Sequence, residues 1–127
     1  MMGIKLMKIG VVYFLIGILF GLYMSATHEF ALKTVHVHLN MLGWMSLSLA
    51  GIFYHLFPQL AQTTSAKVHF WLHNIGLPIM MICIALAIYD VGGEVFFPIA
   101  TIGGVVTVIG VCFFGYNVLK HLKVESK

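Results

Sequence analysis

The sequence predicts an all-α integral membrane protein: one domain over residues 1–127, a bundle of four spanning helices. Three observations carry that expectation. Of 127 residues, 61% are hydrophobic and 9% charged, too few polar side chains to coat a soluble domain of this size. The mean hydropathy is +1.01. The apolar residues also fall into runs over 9–27, 35–57, 69–89 and 96–119, each close to the roughly 20 residues that cross a hydrocarbon core as a helix. The short connectors "THEFALKT", "PQLAQTTSAK" and "YDVGGE" hold most of the polar residues.

Helix one follows Lys5 and Lys8, and Ser25 and Ala26 near its end resemble a cleavage site. Its apolar stretch of about 18 residues exceeds the 7 to 15 of a secretory signal core, so it is read as a span. Gly17 and Gly21, in line with Gly10, offer a smooth face for close helix contact. Helix two opens with "VHVHLNMLGW", residues 35–44. Helix three contains "HNIGLPIMM", in which Pro78 is expected to kink or loosen the helix near Gly76. Helix four carries Gly103, Gly104, Gly110 and Gly115.

Orientation follows from the lysines, since the chain has no arginine. Four spans place Lys5, Lys8, Lys67, Lys120, Lys123 and Lys127 on one side and Lys33 alone on the other. The positive-inside rule then sets both termini in the cytoplasm, with the expected home a prokaryotic inner membrane. The formal charge of +3 is thus a topology signal, and no nucleic-acid partner is expected. His28, His36 and His38 fall near the outer face; His55, His69, His73 and His121 fall near the inner one.

Between Lys8 and Lys120 every charged side chain (Glu29, Lys33, Lys67, Asp90, Glu94) lies in or beside a connector. A small multidrug exporter or proton-coupled carrier keeps a carboxylate in mid-span, so that class is set aside. Cys83 and Cys112 are single and within spans, and no C-x-x-C-H is present. This excludes covalent c-type haem and marks both as packing residues.

The histidines are the remaining chemistry. Successive helical residues turn by about 100°, so His36 and His38 project from opposite flanks of helix two at almost equal depth. They cannot ligate one ion, but they could serve two sites, one on each flank of the helix. Below His36 run Asn40, Gly43, Leu47 and Gly51; below His38 run Leu42, Met45, Leu49 and Ile52. A flat apolar macrocycle could lie on either face, and imidazole is the usual nitrogen ligand of haem iron. The competing reading is a histidine hydrogen-bonded to a neighbouring backbone or seated among headgroups. On the inner side His69 and His73 stand four apart on one helical face, a weaker metal candidate together with His55.

"HLNMLGWMSLSLAGIFYHLFP" resembles the second helix of subunit I of the haem-copper oxidases, above all the nitric oxide reductase branch. There a histidine followed two residues later by asparagine opens the helix, and an aromatic pair before a proline closes it. "HFWLHNIGLPIMM" is similar to that family's third helix. The resemblance implies that His38 is an axial ligand of a low-spin haem b near the outer face. The later helices that carry the family's copper-ligating histidines have no counterpart here, so gas reduction by the family's mechanism is not expected. The family's subunit also consists of three four-helix arcs about a pseudo-threefold axis, and its tenth helix carries an H-x-H. His36-Val37-His38 on a chain one arc long therefore implies a homotrimer, with each haem held by His38 of one copy and His36 of the next.

The sequence-level expectation is a membrane-bound b-type cytochrome that transfers electrons, with haem iron held by His36 and His38 and cofactor contacts at Asn40, Gly43 and Met45. It would be an electron-transfer protein more than a self-sufficient oxidase or reductase, its donor and acceptor unidentified, a quinol or a cytochrome being the candidates. The alternatives are a non-redox membrane assembly or interaction subunit, and a haem-based gas binder or sensor.

Overall fold

A computed structural model describes residues 1–124; Lys127, one of the lysines read as inside, lies outside the described residues. Within them the regular structure is entirely helical: α1 (Met2–Thr27), α2 (Lys33–His38), a π-helical segment (Leu39–Met45), α3 (Ser46–Leu56), α4 (Pro58–Ala61), α5 (Thr64–Ile88), a 3-10 turn (Gly93–Val95) and α6 (Phe96–His121). Three helices, Met2–Thr27, Thr64–Ile88 and Gly93–His121, are long and apolar enough to cross a membrane. The second apolar run is helical from Lys33 to Leu56 but changes type twice.

Local chemistry sets the ends. α1 stops at His28, whose backbone is left-handed at φ 56°. Pro58 stands in the first turn of α4, where its missing N–H is no loss. Thr63 caps α5, its Oγ1 accepting the Ala66 N–H at 3.1 Å. The turn before α6 uses positive φ at Asp90, Gly92 and Gly93.

Packing runs mainly between neighbours in sequence: α1 against the α2–π–α3 run, and α5 against α6. The glycines make both contacts close. A methyl at Gly3 would lie 2.5 Å from the Gly51 carbonyl, and one at Gly76 would lie 2.8 Å from the Gly103 carbonyl. The core residues Leu6, Leu47, Leu60 and Leu77 are fully buried, while the outward faces of α1 and α6 are exposed leucine, isoleucine and valine, as suits a lipid solvent.

Pro78 stands inside α5, which runs from Thr64 to Ile88; one missing N–H is tolerated where neighbouring helices pack about the freed carbonyl. The break in regular α geometry falls in the second run, at Leu39–Met45. Cys83 is buried, but Cys112 is exposed on α6.

Candidate functional site

His36 and His38 sit in the last turn of α2, immediately before the π segment. His36 turns towards α1. Its Nδ1 lies 2.8 Å from the Gly17 carbonyl, and its Cε1 edge rests on Gly21, where an added methyl would come within 2.9 Å. His38 turns the other way, its Nδ1 2.8 Å from the Thr34 carbonyl one turn back. It forms part of the wall of a groove of about 510 Å³ with Leu42, Met80, Ile84, Phe97 and Gly104. The two rings occupy opposite flanks of the helix.

A carbonyl oxygen only accepts, so in both rings Nδ1 carries the proton and Nε2 keeps its lone pair. This is the tautomer a metal-ligating imidazole adopts when a backbone carbonyl fixes its other nitrogen. Asn40 Nδ2 donates to the His36 carbonyl at 2.9 Å; its 3.4 Å approach to His36 Nδ1 sets two donors face to face and contributes no bond.

Other residues of the candidate set lie elsewhere. Gly43 is covered by the Tyr13 ring, whose Cγ a methyl would meet at 2.5 Å, and Gly51 is covered by α1, so the face below His36 is closed to a flat ligand. Met45 is 53% exposed and is not part of the groove wall. The physical reason is the π segment: its extra residue per turn shifts the phase below His38, so that Leu42, but not Met45, faces the groove.

On the inner side His69 and His73 are both buried, and their partners fix the polarity of a hydrogen-bond chain. His73 Nε2–H donates to the Leu42 carbonyl at 2.9 Å. His73 Nδ1 must then accept, and it does so from His69 Nε2–H at 3.1 Å. His69 Nδ1 in turn accepts from the Tyr54 hydroxyl at 2.8 Å. All four ring nitrogens are engaged. His55 is exposed and packs near Gly3 of α1; its neighbour Tyr54 is the residue that meets His69. His28 is exposed at the end of α1. His121 Nδ1–H donates to Asn117 Oδ1 at 2.9 Å, and Asn117 donates to the Leu60 carbonyl at 2.9 Å. No group of three or more histidine, cysteine or acidic side chains is gathered among the described residues. Tyr54 and the Leu42 carbonyl carry no sequence signal for these roles, because nothing local marks a partner on another helix.

Comparison with known proteins finds no match among family models, curated proteins or solved structures.

Proposed function

We propose that the chain is a b-type cytochrome of a prokaryotic inner membrane, crossing four times with both termini inside, and that three copies share haem b between them. Each haem would be held by His38 of one copy and His36 of the next, against the groove beside His38 and not the face below His36, which α1 closes. The haem, when bound, supplies reversible one-electron cycling of its iron; the protein supplies ligands, orientation and a dry apolar wall.

The observation that carries this reading is the paired tautomer. Both imidazoles give Nδ1–H to a backbone carbonyl, which leaves both Nε2 lone pairs free, and the rings stand on opposite flanks. One histidine on each flank cannot complete a site within a single chain, but two flanks of successive copies can, and rings of heterologous contacts close in this way. Two residues rise only about 3 Å along a helix, so the two ligands would meet a common plane. The groove beside His38 is apolar apart from that ring and one threonine, as suits a macrocycle. A haem held by two histidines would supply one-electron transfer in preference to gas binding.

The direct test is the absorption spectrum of the purified chain from haem-replete cells. One haem b per chain, with sharp reduced low-spin bands and no response to carbon monoxide, is the expected result. A carbon monoxide shift would assign an open haem and a gas-binding role. Colourless protein with haem supply assured would remove the cytochrome reading.

A further inference from the structure

The π segment and the buried histidine pair belong to one device. In a π turn each N–H reaches back five residues instead of four, and here the Ser46 N–H bonds to the Met41 carbonyl. When the ladder resets to four-residue spacing in α3, one carbonyl is skipped. Leu42 follows the last π-type acceptor, and its oxygen takes the His73 Nε2–H from α5. In a hydrocarbon interior a skipped carbonyl must find such a donor. His73 is itself held from behind: α6 presses on it so closely that a methyl at Gly110 would stand 3.0 Å from the His73 amide nitrogen. Its Nδ1 is tied through His69 to Tyr54. Tyr54 lies on the same run as Leu42, twelve residues on. The two histidines thus strap α5 to the π segment at Leu42 and to the far end of α3 at Tyr54.

A segment that inserts one residue into the ladder rotates everything before it by about 100° relative to everything after it. What precedes the π segment is α2, with His36 and His38 at its end.

We infer that His73 is a positioning residue: by satisfying the Leu42 carbonyl it holds the π segment in place, and so sets the direction in which His36 and His38 leave the helix. The consequence for haem rests on the cytochrome reading; the mechanical claim does not. Glutamine at position 73 places an N–H near the position of Nε2 and keeps the bond to Leu42, whereas leucine removes it.

Carbonyl-carbon NMR on the purified full chain, chemically reduced so that any low-spin haem is diamagnetic, separates the two claims. Leu42-Gly43 is the single Leu-Gly pair in the sequence, so carbonyl-13C leucine with 15N glycine gives one cross-peak, that of Leu42. Carbonyl-13C glycine with 15N isoleucine gives peaks for Gly3, Gly17 and Gly51, of which His36→Ala identifies Gly17. In His73→Leu the Leu42 peak should move upfield, and the Gly17 peak should move in the direction His36→Ala moves it, because the ring has turned away. His73→Gln should restore both. An unmoved Leu42 peak in His73→Leu overturns the clamp. A moved Leu42 peak with an unmoved Gly17 peak overturns the positioning role. Both readings hold whether or not haem is present, so failure of the cytochrome reading is seen separately, in the spectrum.

Discussion

His36 on α2 and Gly17 on α1 are joined by one hydrogen bond, Nδ1–H to the backbone carbonyl over 2.8 Å. The ring reaches it because Gly21, one turn further along α1, has no side chain in the way. Gly21→Ala would set a methyl 2.9 Å from His36 Cε1 and push the ring off its acceptor. Losing an orienting partner typically weakens metal binding about 10- to 100-fold, so haem retention by Gly21→Ala should fall by that order in a haem-titration assay. Gly115→Ala, where a methyl meets nothing within 4 Å, is the matched control and should match the parent protein in the same assay. Equal retention by the two variants would sink the role given to the His36–Gly17 contact.

His36→Ala and His38→Ala should each lose the low-spin spectrum, since every shared haem would be left with one histidine. Any haem retained should become reactive to carbon monoxide, whereas that of the parent protein should not be. A single mutant that keeps a full low-spin spectrum would remove that histidine from the ligand set.

The α5–α6 contact should be intolerant of bulk. At Gly76 a methyl would lie 2.6 Å from Thr107 Oγ1 and 2.8 Å from both the Gly103 carbonyl oxygen and the Thr107 amide nitrogen, and the last two are fixed backbone. Gly76→Ala should destabilise the fold by about 1–3 kcal/mol, the usual range for overpacking, read as thermal or denaturant unfolding in detergent. Gly115→Ala should show no such loss. Unchanged stability in Gly76→Ala would show the helices less tightly apposed than described.

Four crossings, as proposed, would place the N-terminus, the C-terminus and the first turn of α5 at Lys67 on one side. A fluorescent protein fused after the C-terminus should therefore fold and fluoresce inside, and alkaline phosphatase fused within 90–94 should be active outside. Alkaline phosphatase fused at Lys67 should be inactive. Activity there would mean that the Lys33–Leu56 run does not cross.

The all-helical class and the spanning helices were legible because burial in lipid writes itself as continuous apolar runs with charges pushed to the ends. The separation of His36 from His38 was equally readable, since it depends only on helical periodicity. The π segment was not. Leu39–Met45 contains no proline, and the donor that meets its Leu42 carbonyl lies 31 residues away on α5. Gly43 gave a second false lead: a glycine on a ligand face and a glycine under Tyr13 look the same in one dimension. The inner histidines were visible as an i, i+4 pair, but their partners, Tyr54 and the Leu42 carbonyl, come from a different helix, so the sequence left them open as metal ligands.

The shared-ligand arrangement is tested most directly by co-expressing His36→Ala and His38→Ala in one cell, with distinct tags to isolate mixed oligomers. A cyclic trimer holding both variants has one interface at which an intact His38 meets an intact His36. The isolated mixed trimers should therefore carry low-spin haem at about one third of the parent level per chain, one interface of three, and the unfractionated random mixture about one quarter, since roughly three trimers in four are mixed. Mixed oligomers that bind no more low-spin haem than either mutant alone would contradict the account.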